Sequence, residues 1–383
     1  MSAADSKITD FKKRFYQQTK ILHLNNAGQA PMCTPAYEMI QNCARLFYEE
    51  GANSYLPMVN ITNEARTNLA SFLGSKPEEV AYFPSAASAI SQVAFGLDLK
   101  SGDEIIVWDQ EYPSNLYPWR DAAKRAGAKL VVAESGADLS TPVTTIEKLM
   151  TPRTKVIATS WVQYRTGAIT DLKALSTLAH SKGIFVSADI IQGAGALPFD
   201  FHDLGVDAAC GGSHKWMLSA HGAGYLLLRE EHRERLRPLA TGAMTYGTSE
   251  DKLNLDAQPR TDMLRYEPGG KAFIEIAALG AAAKFLKETG IDRIAQEIEW
   301  LSRKLLHGLR ERGYSINSPH GSHHRGSIVN FAPGKDSRFK TQLEIEAVLT
   351  ENHVTFGKRP PGLRLSPHAF NTIEDIEKVL NLL

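Results

Sequence analysis

The chain has little cysteine: three residues in 383, namely Cys33, Cys43 and Cys210. They are too few and too scattered for a disulfide framework or a zinc site, and they fit a reducing, cytoplasmic setting. There is no excess of one charge either, because 43 Lys and Arg stand against 43 Asp and Glu. That balance argues against nucleic acid or an anionic membrane as the main partner, while leaving room for a local basic pocket. No apolar run approaches the ~18 residues of a membrane span, and the polar, charged residues 1–15 do not read as a signal peptide. Two nucleotide motifs are missing. Gly193–Gly195 lacks the full spacing of a dinucleotide loop, and Gly270-Lys271 lacks the upstream glycine and the following Ser or Thr of a P-loop.

What is present is a chain long enough for a large core and two domains, with an ordinary 43% of hydrophobic and 22% of charged residues. The richest stretch is 183–229. Three short apolar runs, 184–188, 206–210 and 224–228, have the length of buried strands and are bounded by Gly or polar residues. Asp189 ends the first run, and Lys215 follows the second after a Gly-Gly-Ser-His turn. Ligands of open α/β sheets gather at the carboxyl ends of strands, so the two side chains are expected to face one pocket. A carboxylate and an amine across a pocket suit pyridoxal phosphate: the lysine forms the Schiff base and the acid holds the pyridine nitrogen protonated. Taken alone, a surface lysine and a helix-capping acid explain the same two residues.

Three motifs widen the reading: S-A-D-I-I-Q-G-A-G (187–195), S-H-K-W (213–216) and L-R-L-S-P-H-A-F-N-T (363–372). With them the chain resembles, over nearly its whole length, the class V aminotransferases, pyridoxal 5′-phosphate enzymes of fold type I. That family includes cysteine desulfurases, selenocysteine lyases, kynureninases and isopenicillin N epimerase-like proteins. The resemblance implies an α/β fold with a large domain built on a mostly parallel, seven-stranded-type sheet flanked by helices, and a smaller α+β C-terminal domain. The expected boundaries are 20–262 for the large domain, and 1–19 with 263–383 for the smaller one. A homodimer with sites at its interface is also implied.

Residues 5–19 read as an amphipathic helix in which Phe11 and Phe15, four apart, share a face. A short strand from 21 runs into a Gly/Pro loop, which the resemblance places beside the substrate with Asn25 and Asn26 as candidates; both also suit a turn. Helices are expected at 34–50 and 60–73, and a strand at 78–83. The P-S-A-A-S loop that follows opens a helix, and free N–H groups at a helix start favour an anion. By resemblance this is the phosphate cup, with Ala86, Ala87 and Ser88 as donors. After a strand at 103–108, Tyr112 falls where relatives stack an aromatic or imidazole ring on the pyridine. A helix at 119–126 and a strand at 129–133 follow. Past the strand that begins at 154, Gln163 takes the place of the residue that contacts the ring hydroxyl or the substrate.

The same resemblance assigns Asp189 to the pyridine nitrogen, Gln192 to the ring hydroxyl, and Ser213 and His214 to the phosphate side. Lys215 is the catalytic amine, and Arg364 clamps the α-carboxylate bidentately. Relatives carry Gly-Thr where this chain has Gly269-Gly270, and Lys271 is the candidate to replace the threonine's contact with the neighbour's phosphate. The later elements are expected as helices 274–289, 291–312, 340–352 and 373–382 and strands at 314–317, 327–331 and 353–356. His320, His323, His324 and Arg325 cluster without a Cys or acid, so they read as a loop near the substrate entrance, and no metal is expected.

The reaction is open at this level. Lys215 and Asp189 serve transamination, racemisation, elimination and decarboxylation alike. Desulfurases of the family use a nucleophilic Cys in their C-terminal part, and no cysteine follows Cys210 here. An aminotransferase-type reaction on an amino acid leads. The alternatives are a C–S or C–Se β-lyase or an epimerase without a catalytic Cys, and, in another class, a non-catalytic cofactor-binding or regulatory homologue. A binding-only protein needs no free base beside a carboxylate clamp.

Overall fold

The fold is that of a computed structural model, which describes residues 3–15, 20–247, 254–319, 321 and 326–383. Its larger sheet has seven strands: β1 (Val80–Phe83), β2 (Glu104–Trp108), β3 (Lys129–Ala133), β4 (Thr154–Ser160), β5 (Phe185–Asp189), β6 (Ala208–Gly212) and β7 (Gly224–Leu228). The order is β1-β7-β6-β5-β4-β2-β3. Ladders from β6 to β3 are parallel, and β7 runs antiparallel to both of its neighbours. The three apolar runs became β5, β6 and β7, each buried along its length. Helices cover both faces, as a parallel sheet requires. One face packs Ile106, Ile157, Val186 and Leu227, and the other Ile105, Val107, Val156 and Leu226.

A smaller sheet follows, of β8 (Ser315–Ile316), β9 (Val329–Ala332), β10 (Gly357–Arg359) and β11 (Gly362–Leu365) in the order β10-β11-β9-β8, all antiparallel. The helix Ile291–Glu311 lays Ile294, Ile298, Leu301, Leu305 and Leu309 on one face, and its later members join the core of this sheet.

Several expectations change. The helix over 5–19 is Ala3–Lys13; Phe11 and Phe15 are both buried, but Phe15 lies past the helix end, and residues 16–19 fall outside the described residues. No strand forms from 21 on. Only single parallel bridges tie Leu22 to Val354 and Asn25 to Ser366. The helix foreseen from 60 begins at Tyr55. The one foreseen from 119 begins at Pro113, since proline at the first helical position gives up only an N–H that would lack a partner anyway. The last strand pair was foreseen as one strand at 353–356. It is instead a hairpin closed by Pro360-Pro361, and it puts Arg364 in β11. The His320, His323, His324 and Arg325 cluster lies outside the described residues.

Candidate active site

Parallel pairing aligns the carboxyl ends of β4, β5 and β6, with Ser160 beside Asp189 and Asp189 beside Cys210. The segments leaving these ends therefore meet. Close approach is built in: a Cβ on Gly193 would stand 2.1 Å from the Trp161 ring, and one on Gly224 would stand 2.2 Å from the Ser85 carbonyl carbon. The second contact seats the start of β7 against the start of the helix Ala86–Gly96.

Lys215 is 9% exposed, and no carboxylate lies within ion-pair distance of it among the described residues. Burial pushes its amine down to about 8; the Asp189 charge opposes this, and the Arg364 and Arg359 charges add to it. Asp189 is buried, which pushes its carboxyl up, while the Ile191 N–H at 2.9 Å and the Lys215 charge favour the ionised form. The Tyr112 ring centroid lies 5.6 Å from the Lys215 Nζ. Tyr112 is 37% exposed rather than packed in the core, and its ring meets Tyr164 edge-on.

The helix Ala86–Gly96 is capped by Ser85, whose Oγ accepts the Ser88 N–H at 3.1 Å. Of the three expected backbone donors this leaves Ala86 and Ala87, with the Ser88 hydroxyl 3.0 Å from that of Ser85. Ser213 is buried and its hydroxyl donates to the Ala220 carbonyl, so it is turned inward rather than toward a ligand. His214 stacks on His221 at 3.9 Å, and burial and the Lys215 charge push it down to about 3, which leaves it neutral. Gln192 donates to the Ala27 carbonyl at 2.9 Å and accepts from the Trp216 indole at 2.9 Å. Each end of its amide is thus engaged in the fold, and one N–H is left over. Lys271 pairs with Glu267 at 2.7 Å within its own chain.

Gln163 is fully buried. Its Nε2 donates to Glu111 at 2.9 Å, and its Oε1 has no partner. Glu111 carries no mark in the sequence, since three of its four bonds come from Ser160 and Gln163 in a distant segment. It accepts from the Ser160 N–H at 2.7 Å, the Ser160 hydroxyl at 2.5 Å, and the Asn115 and Gln163 amides. Because a carboxylate takes the Gln163 NH2, the amide oxygen is the end left free.

Arg364 is 1% exposed. It donates to the Tyr164 carbonyl at 2.8 Å and to Asn25 Oδ1 at 3.1 Å, and its Nε is buried without a partner. No carboxylate faces it among the described residues, and burial pushes it down to about 9. The arginine's partner is Asn25 rather than Asn26, whose amide is bound to the Ser366 carbonyl at 2.8 Å. A buried guanidinium with only neutral acceptors is an open socket for a carboxylate.

None of the three cysteines offers a reactive thiol. All are buried, and burial raises the Cys43 thiol, pushes Cys33 up to about 12 and raises Cys210 well above its ordinary range. No helix is long and apolar enough to cross a membrane, and no His, Cys, Asp and Glu cluster suits a metal, among the described residues.

A model of the aminotransferase class-V family matches residues 24–379. The chain is 25% identical to the "Uncharacterized aminotransferase YcbU" of Bacillus subtilis, over 94% of this chain and 92% of that one. It is 28% identical to a "Probable cysteine desulfurase" of Synechocystis, over 83% and 78%. Among solved structures, the apo cysteine desulfurase of Thermococcus onnurineus superposes with a TM-score of 0.87 at 22% identity, over 98% of this chain and 96% of that one. A C-DES mutant with glycine covalently linked to its PLP cofactor gives 0.88 at 22%, over 97% and 98%. These likenesses establish the fold: an α/β protein of PLP fold type I.

Proposed function

From the premise that the chain belongs to the class V aminotransferase family, we propose that it transforms an α-amino acid by an aminotransferase-type reaction. Pyridoxal 5′-phosphate is the family's cofactor, and the residues fit it. The observation that carries the reading is a buried amine pushed down to about 8, together with a buried guanidinium whose charge bears on it and with which no carboxylate pairs among the described residues. Lys215 would hold the cofactor's aldehyde carbon, Asp189 its ring nitrogen and Tyr112 its ring face. The N–H groups of Ala86 and Ala87, with the Ser88 hydroxyl, would hold the phosphate. When bound, the cofactor supplies an electron sink for bond breaking at the substrate Cα.

The chain's own groups do the rest. Arg364 orients the substrate by its α-carboxylate. Lys215 Nζ, whose burial brings its amine down to about 8 and so eases its deprotonation, takes and returns the Cα proton. The charge on Asp189 keeps a proton on a ring nitrogen beside it. Burial of Lys215, Asp189 and Arg364 keeps water from the reacting groups.

A second reading is direct β-elimination of a sulfur or selenium leaving group. It is favoured by the burial of all three cysteines, since this route needs no thiol acceptor. Both readings include a homodimer.

The test is borohydride reduction of the protein with pyridoxal phosphate, peptide mapping of the adduct, and incubation with a panel of amino acids. Label on Lys215 and a keto acid formed with an aminated acceptor support the lead reading. Pyruvate with sulfide selects elimination, and an inverted amino acid selects epimerisation. No label at saturating cofactor sinks both.

A further inference from the structure

The hairpin β10–β11 carries a second cation beside Arg364. In the register Gly357 faces Arg364 and Arg359 faces Gly362. Opposed residues of an antiparallel pair share a face, and so do residues two apart along a strand. Arg359 and Arg364 therefore project from the same face as diagonal neighbours, roughly 7–8 Å apart at their origins. The other face is accounted for: Lys358 pairs with Glu346 at 2.5 Å, and Leu363 enters the small core. Between the two arginines the shared face holds only Gly357 and Gly362. A Cβ on Gly357 would stand 3.1 Å from the Arg364 Nε, so the glycine leaves the guanidinium its room.

Some buried charges are matched, as Arg66 is with Glu267 and Asp207 with His180 and His232. The half-buried Arg359 is not. Its Nη1 donates to the Lys358 carbonyl, its Nε is buried without a partner, and no carboxylate pairs with it among the described residues. Its charge bears on both Lys215 and Arg364, which places it near both. Among the described residues, Asp189 is the carboxylate whose charge bears on Lys215.

We propose that Arg359 and Arg364 form a two-point clamp, and that the substrate is an amino acid carrying a second carboxylate, with Arg364 taking the α-carboxylate and Arg359 the distal one. This rests on the functional reading above and names its substrate class. A single carboxylate saturates one guanidinium fork, so two forks on one face call for two anionic groups.

The probes are unreactive acids that lack the amine. Calorimetric titration of the cofactor-loaded protein compares succinate, glutarate and adipate with butyrate, valerate and caproate. The wild type is expected to bind its best dicarboxylate at least tenfold tighter than the matching monocarboxylate, as one charge-assisted hydrogen bond allows. R359Q loses that preference and keeps monocarboxylate affinity, R359K retains most of it, and R364Q weakens both classes. Equal binding of the two classes by the wild type overturns the clamp, and so does R359Q weakening both classes equally. Borohydride labelling of Lys215 in the same samples separates the two failures. Retained label without preference sinks the clamp alone, while preference without label sinks the functional reading.

Discussion

Lys215→Met should stabilise the cofactor-free protein. The lysine is 9% exposed, and its amine falls from an ordinary 10.5 to about 8. Below about 8 both folded and unfolded chains carry the proton, and the folded one bears the full cost of burying the charge. Between about 8 and 10.5 the unfolded chain binds more protons, so stability rises with pH across that window. The gap corresponds to about 3.5 kcal/mol at most, at ~1.4 kcal/mol per pKa unit. Methionine keeps the unbranched stem and the volume without the charge. It also removes a cation that favours the ionised Asp189, which subtracts from the gain. The expected net gain at pH 7 is ~1–3 kcal/mol, shrinking as the pH rises through the window and lost above it. Urea unfolding of both cofactor-free proteins at several pH values measures this. A Lys215→Met protein less stable than wild type at pH 7, or a difference that does not change with pH, would refute the argument that the lysine is held at a cost for its chemistry.

Glu111→Gln turns an NH2 group toward a site that now accepts four donated hydrogen bonds. Thermal unfolding should show a loss of ~2–4 kcal/mol, and a loss below ~0.5 kcal/mol would deny the network its role. Gly224→Ala places a Cβ 2.2 Å from the Ser85 carbonyl carbon. Pyridoxal-phosphate affinity, by equilibrium dialysis, should fall about tenfold or more as the helix start is displaced, while Lys215 still labels at saturation; unchanged affinity would exclude that helix from the phosphate site. Asp207 lies at the opposite ends of the strands. Burial pushes its carboxyl up, but His232, the Val186 N–H and His180 pull it below its ordinary 3.8. Its contribution is therefore present above 3.8 and is lost as pH falls through the lower folded value. Asp207→Asn should cost ~1–3 kcal/mol at pH 7 with the Lys215 chemistry intact, and loss of labelling would show that the two ends are coupled.

What the sequence made legible divides by how a residue acquires its surroundings. Strands β5, β6 and β7 were readable because burial on both faces demands continuous apolar runs, and 184–188, 206–210 and 224–228 are such runs. Asp189 and Lys215 were readable because the first closes β5 and the second follows β6 after a short turn. Glu111 was not, since an acid before a tyrosine carries no mark of the donors at Asn115, Ser160 and Gln163. Asn25 and Asn26 are equivalent as neighbours in the chain. Only the bridge from Asn25 to Ser366, some 340 residues on, turns one amide to the arginine and the other to the backbone.

The hairpin β10–β11 shows why the second arginine escaped notice. Pro360-Pro361 reads as a strand breaker, and without the pairing there is no register to tell that Arg359 shares a face with Arg364 while Lys358 does not. The motif around Arg364 points to a carboxylate; the geometry adds a second, unmatched guanidinium on the same surface. With a substrate of one carboxylate, the half-buried Arg359 would keep a buried Nε without a partner. A second carboxylate on the ligand would give that guanidinium its partner, so the R359Q titration bears on what the site takes in as well as on one contact.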